Sequence, residues 1–288
     1  AMPISPAQDA SPTPTLNPSP TPSRTPTTVP SPTTSPTPSP TAPSTSTPLA
    51  SAVQTPTPAS PQDFLVEPPP RPHPGTAANS EPPRRVPNAV RSFWVIDPTG
   101  GRREIDARLR VQTPSVAMWV ELGVWHDIRR LQEAAERFES HTYPRVRAAF
   151  GPEWAPGIDN DPHIHILHAS GLGEDVVGYT SSLDEYPSET HPLSNEAEMM
   201  VINVDRIDVG SSAYEALLAQ QFQRLVQWNQ DRNEERWLKE GLAALAVTLS
   251  GYDAPESEWP YLKKPDTPLT RWAAGEGQRQ AAYLFAMY

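Results

Sequence analysis

The sequence predicts an α+β domain over residues 88–288, a mixed and mostly antiparallel sheet packed on two long helices, behind a disordered tail at residues 1–87. Three observations lead there. Of the 38 prolines, 26 lie in residues 1–87 and 12 follow, whereas all eight tryptophans lie between Trp94 and Trp272. Segments with the period of two of a half-buried strand open the second part, and segments with a helical period close it. Strands first and helices afterwards is the layout of an α+β domain.

Residues 1–87 repeat Thr-Pro and Ser-Pro and contain almost nothing to bury. Without burial to offset its ordering entropy, such a tail is expected to stay disordered and extended, with polyproline II character. Repetitive Ser/Thr with Pro suits a cell-surface stalk, often O-glycosylated, and also a plain intracellular linker. Four basic residues (Arg24, Arg71, Arg84, Arg85) balance four acidic ones (Asp9, Asp63, Glu67, Glu81), so the net charge of −11 belongs to residues 88–288. An acidic domain without a basic run argues against nucleic acid and anionic membrane as partners. No stretch approaches the ~20 apolar residues of a membrane span. Cysteine is absent, which matters little for a domain large enough to build its own core. Residues 1–9 lack the pattern of a signal peptide. Residues 280–288 read as an apolar helix that stops without a cap, so the domain is expected to be cut short there.

Residues 90–96 are aromatic and β-branched and end at Asp97-Pro98-Thr99-Gly100-Gly101, a strand followed by a turn. In residues 104–111, Ile105, Ala107, Leu109 and Val111 share one face and charged residues the other. After the breaker Thr113-Pro114, residues 116–120 complete three antiparallel strands. Ile128, Leu131, Ala135 and Phe138 form a helical stripe, and a shorter helix is expected over 143–150, stopped by Gly151-Pro152. Residues 164–169 read as a buried-looking strand with mixed faces, 171–192 as a long surface loop, and 199–204 as the last strand. Two helices follow. The first opens on Ser212-x-x-Glu215, a capping-box pattern, and the second ends at Gly251.

At these helices the sequence resembles a known family. Residues 219–229 read A-Q-Q-F-Q-R-L-V-Q-W-N, and residues 234–242 read E-E-R-W-L-K-E-G-L. They are similar to the segments A-H-E-F-Q-H-M-I-H-W-N and E-x-x-W-x-N-E-G-L of secreted bacterial zincin metallopeptidases of the gluzincin type. Further matching words are Phe93-Trp94-Val95, Phe138-Glu139 with Tyr143-Pro144, Asp159-x-Asp161-Pro162 and Ser194-Asn195-Glu196-x-Glu198-Met199, so the resemblance covers residues 90–288. It implies a zincin fold with an active-site helix and a backing helix.

In such enzymes two histidines at i and i+4 on one helix bind zinc, a Glu of the next helix is the third ligand, and the Glu of H-E-x-x-H is the general base. Matched position by position, Gln220 stands for the first His, Gln221 for the base and Arg224 for the second His. Glu240 keeps the third-ligand place, and Lys239 replaces an Asn. A glutamine amide is a poor zinc ligand, Gln221 takes no proton near neutral pH, and Arg224 is permanently cationic. No catalytic residue is therefore intact, and no metal or other cofactor is expected, although active relatives use zinc. The charge of Arg224 suits the carboxylate that faced the ion, so an Arg224–Glu240 ion pair is expected, with Gln220 and Gln221 hydrogen-bonding around it.

Other candidates carry less. His163 and His165 alternate along a strand, but no carboxylate at ligand spacing in the sequence supports a metal there. Asp159-x-Asp161 lacks the glycine and terminal Glu of an EF-hand loop and reads as a turn. In zincins an edge strand near the active helix takes up an extended substrate, which makes Asn195, Glu196 and Glu198, ahead of the last strand, a candidate peptide-binding segment; the same acids equally serve loop structure. Tyr179 is a candidate border of the cleft. Trp228 and Trp237 read as core packing. The expectation is an inactive, monomeric metallopeptidase-like protein, secreted or at the cell surface, that binds an extended peptide or protein ligand. A hydrolase with an altered metal site and a truncated gene product without function stay open beside it.

Overall fold

The computed structural model describes residues 81, 83, 86–253, 259–266, 268–270, 272 and 277–288. Except for four residues, the Pro/Ser/Thr-rich tail lies outside the described residues, and so does its expected disorder. The elements are β1 (Val90–Ile96), β2 (Arg102–Gln112), β3 (Val116–Glu121), α1 (Ile128–Arg137), α2 (Tyr143–Phe150), β4 (Ile164–Ala169), β5 (Gly178–Tyr179), β6 (Met199–Asn203), α3 (Ser212–Gln230), α4 (Arg236–Leu249), α5 (Trp259–Lys263) and α6 (Gln278–Met287). The sheet has the order β1-β2-β3-β4-β6-β5. β3–β4 and β4–β6 are parallel, and the other three pairs are antiparallel. This is the expected α+β layout with a mixed sheet.

One face of the sheet packs on helices. Val116, Met118, Val120, Ile164, Ile166, Met200 and Ile202 meet Leu131, Phe138, Leu218, Phe222, Leu225 and Val226. Burying each large side chain is worth roughly 1.5–3 kcal/mol, so this seam anchors α1 and α3. The opposite face is covered as well, with Phe93, Val95, Trp119, Leu167, Met199 and Val201 in a second cluster. β4, which reads from the sequence as a buried strand with mixed faces, is buried at all six residues. It sits between two parallel neighbours and under layers on both faces, where strands lose their polar side.

Between α1 and α2 the helix does not break. A π-turn, Phe138–Thr142, links them, and the Tyr143 N–H reaches the Phe138 carbonyl. Pro144, in the first turn of α2, has no N–H to give, and the wider turn absorbs that loss. Glu139 in this turn accepts from Thr113 Oγ1 (2.6 Å), Ser115 N (2.9 Å) and Ser115 Oγ (2.9 Å), which ties the helices to the β2–β3 turn.

The segment 171–192, expected to be a surface loop, closes the sheet instead. It contains β5 and a 3₁₀ turn, Ser182–Glu185, and it buries Leu172, Asp184, Glu185 and Tyr186. The free edge of β1 is satisfied from it and from the segment that follows. Trp94 N donates to Asn195 Oδ1 (2.7 Å), Asn195 Nδ2 donates to the Trp94 carbonyl (2.9 Å), and Ile96 N donates to the Tyr179 hydroxyl (3.0 Å). One Asn amide thus presents a donor and an acceptor in the way a neighbouring strand does. Asp184 holds Asn195 in place and is itself held by Arg102 (3.2 Å). The sheet curls so that its first strand meets the loop beyond its last.

Among the described residues no helix is long and apolar enough to cross a membrane.

Candidate functional site

α3 begins one residue earlier than the capping-box pattern indicates. Ser211 is the N-cap, and its side chain accepts from Tyr214 N (3.1 Å). The shift of one residue, about 100° of helical rotation, turns Glu215 inward rather than back over the cap. It is buried 3.7 Å from Arg137 Nε, and burial raises its pKa to about 7, with Arg137 pulling it partly back.

Leu218, Phe222, Leu225 and Val226 hold α3 against the sheet, and the face carrying Gln220 and Arg224 is only partly buried. There Arg224 meets Glu240 of α4 through two parallel bonds, Nη1 to Oε1 at 3.1 Å and Nη2 to Oε2 at 2.8 Å. The side chains are 22 % and 10 % exposed. Such a fork of charge-assisted bonds is the strong form of an Arg–carboxylate pair, and partial burial screens it less than an exposed one. Both carboxylate oxygens of Glu240 are engaged by a permanent cation, so the arrangement repels a metal ion and offers it no imidazole. Lys239 turns away, with Nζ donating to the Arg232 carbonyl (2.8 Å).

The expected shell of amides around the pair is not formed. Among the described residues neither Gln220 nor Gln221 hydrogen-bonds to it, and Gln221 Oε1 is buried without a partner. Gln221 lies a further 100° round α3 from Gln220 and points into the interior rather than at α4. Trp228 and Trp237, expected as core packing, are half buried and belong to neither core cluster. The guanidinium of Arg232 lies 4.5 Å over the Trp228 ring, and Trp237 meets Phe285 edge to face.

β6, which the resemblance would make an edge strand open to a peptide, is an inner strand. β5 pairs with its residues Val201 and Ile202. On either side, Ala197 N donates to the Asp184 carbonyl (2.7 Å) and Asn203 N to the Val177 carbonyl (2.9 Å). Asn195 is committed to β1, Glu196 accepts from Ser188 N (2.6 Å), and Glu198 is buried. Tyr179 is spent on Ile96.

His168 is wholly buried between the Trp119 carbonyl and the Tyr214 hydroxyl, each 2.9 Å away, and burial lowers its pKa to about 4. His163 lies just before β4 and bonds Asp161 through its backbone N (3.0 Å) and through its ring. The structure brings His165 to Asp159 and Asp161, with one ligand-type atom from each of the three within 4.8 Å of the others. The sequence held the signal, an Asp-x-Asp turn beside a His-x-His strand, but no spacing rule joins them; the fold does so by returning the turn over the start of β4. Glu185 and Glu198 lie in the same buried neighbourhood, and sequence reasoning had not linked either to the histidine.

Comparison with known proteins finds no family model that matches the chain and no curated protein that matches it in sequence.

Proposed function

We propose that residues 88–288 are a zincin-type metallopeptidase fold that has lost hydrolysis, with the Arg224–Glu240 ion pair standing where active relatives hold zinc. In this reading the domain is a binding or scaffold module outside the cell, carried on its Pro/Ser/Thr-rich tail. The bidentate pair across α3 and α4 is the observation that carries it. A zinc ion needs two imidazoles and a free carboxylate at this place. The residues present are an amide, a guanidinium and a carboxylate already bound to that guanidinium, and they do not fit the ion. Gln221 cannot act as a base, so α3 supplies neither an activated water nor a group to deprotonate one.

The test is a protein and peptide digestion assay on the full chain, with and without EDTA. No cleavage is expected. EDTA-sensitive cleavage that disappears in Glu240→Gln would sink the proposal. The triple change Gln220→His, Gln221→Glu and Arg224→His rebuilds the motif of the active family. On an intact zincin frame it is expected to bring back zinc binding and measurable proteolysis, and recovery of neither counts against the frame.

A further inference from the structure

We infer that the chain cuts its own backbone between Asp161 and Pro162, with the Asp161 carboxylate as nucleophile and the His163 imidazole as proton donor. The inference goes beyond the proposed loss of hydrolysis and does not rest on the α3–α4 pair.

An Asp–Pro bond is the peptide bond most readily broken by mild acid. The proline nitrogen carries no hydrogen and is more basic than an ordinary amide nitrogen, so it leaves more easily. The aspartyl carboxylate can reach its own residue's carbonyl carbon, and such an internal attack is far faster than attack by free water. The chain has two bonds of this kind, Asp97–Pro98 and Asp161–Pro162.

At both, the carboxylate Oδ1 accepts from the backbone N–H two residues on, Thr99 N at 2.7 Å and His163 N at 3.0 Å. The loop closed by that hydrogen bond contains the Asp–Pro bond, so each carboxylate is folded over the bond it would attack. What surrounds them differs. Asp97 Oδ1 also accepts from Thr99 Oγ1 (2.6 Å) and Gly101 N (3.1 Å), and the Thr99 hydroxyl is the first cause that holds its pKa below the usual value. A carboxylate stabilised in this way is a weak nucleophile. Asp161 is buried at 4 % exposure, so it has little water to shed before attack. Its neighbour is also a proton donor. The His163 ring meets Asp161 Oδ1 through Nδ1, and its Nε2 lies 3.0 Å from Gln112 Nε2. An amide that donates to Nε2 leaves the ring proton on Nδ1, the side of Asp161. Pro162 is exposed, which gives the freed nitrogen room and lets water in.

The step balances without an added reagent. In mild acid the His163 ring is an imidazolium, with the Gln112 amide turned to accept from Nε2. An Asp161 carboxylate oxygen bonds to the Asp161 carbonyl carbon as the bond to Pro162 N breaks. That nitrogen takes the Nδ1 proton, the ring is left neutral, and Asp161 becomes a cyclic anhydride. Water opens the anhydride to two carboxyl groups. The groups facing this turn are Asp159, whose Oδ1 accepts from Asp161 N (3.1 Å), and His165 of β4. The two pieces stay together, because β3 and β4 pair from Val116 and Ile164 onward and the helix-side core draws on both.

The full chain is purified at about pH 8 and incubated at about pH 8 and about pH 5 with EDTA and protease inhibitors. Denaturing electrophoresis and intact mass follow it. At the lower pH, two pieces are expected, one ending at Asp161 and one beginning at Pro162, at a rate independent of protein concentration. Hydroxylamine present during the incubation is expected to leave a hydroxamate on Asp161, the mark of the anhydride. Pro162→Ala, at an exposed position, should abolish the cut, and His163→Ala should slow it about a hundred-fold and flatten its pH profile. A chain that stays whole at both pH values overturns the inference. Cutting at Asp97–Pro98 at a comparable rate reduces it to plain acid lability and overturns it as well. The same holds if His163→Ala cuts as wild type does, or if no hydroxamate forms. None of these outcomes touches the Arg224–Glu240 pair, so the proposed loss of hydrolysis stands or falls separately.

Discussion

The guanidinium of Arg224 and the carboxylate of Glu240 clasp α3 to α4 through two parallel bonds between residues sixteen positions apart. Removing one partner leaves the other charged and largely withdrawn from water. Glu240→Gln or Arg224→Gln is therefore expected to cost roughly 1–3 kcal/mol, below the fully buried range because the pair is partly exposed. The double change Arg224→Met with Glu240→Leu should recover most of that loss. Urea unfolding of the singles and the double gives the coupling; purely additive losses would mean the pair is screened and clasps nothing.

Gly241, next to Glu240, sits where α4 and α6 touch through backbone. A Cβ there would come 2.4 Å from the Ala282 carbonyl oxygen. Ala in a helix interior ordinarily gains about 1 kcal/mol over Gly. Here the sign should reverse, and Gly241→Ala is expected to destabilise by roughly 1–3 kcal/mol as α6 is pushed away. A raised urea midpoint would show that α6 does not pack as described.

Burial raises the Glu215 pKa from 4.5 to about 7. The folded state thus holds a proton that the unfolded chain releases near 4.5. The stabilisation is complete below 4.5 and is lost as pH rises through about 7. Glu215→Gln has no such titration. Its stability relative to wild type should climb between about pH 4.5 and 7 and level off above that window. A difference that does not vary with pH would place Glu215 in water.

For His168 the shift runs the other way, from 6.5 down to about 4, with burial as the main cause. A neutral ring with the proton on Nδ1 donates to the Trp119 carbonyl, and Nε2 accepts from the Tyr214 hydroxyl. Stability from this group is present above pH 6.5 and lost as pH falls through about 4. The ring resonances of His168 in NMR should still report a neutral imidazole at pH 5, where exposed histidines are protonated. Titration near 6.5 would contradict its burial.

Much of the fold was legible because it is local. β1, β3, β4 and α2 fall where alternation, helical period and the breakers Thr113-Pro114 and Gly151-Pro152 place them. The α3 cap was misread by one residue because Ser211 and Ser212 both suit an N-cap, and only the packing of Leu218 and Phe222 sets the rotation that selects Ser211. The segment 171–192 looked like a surface loop because its few apolar residues show no period. Its buried groups include Asp184 and Glu185, which composition assigns to solvent.

Residue chemistry by itself determined that Gln220, Gln221 and Arg224 cannot perform the work of two histidines and a base, and that Arg224 suits Glu240 in charge. Ligand strength and proton affinity belong to side chains wherever they stand. Tertiary structure alone decided that the pair closes as a two-bond fork while Gln220 and Gln221 stay out of it. It also decided that Asn195 completes the edge of β1, that β6 is an inner strand, and that Asp159, Asp161 and His165 converge. Those relationships depend on strand register and on the curl of the sheet. Both are set by packing summed over many residues, and the spacing of any few does not encode them.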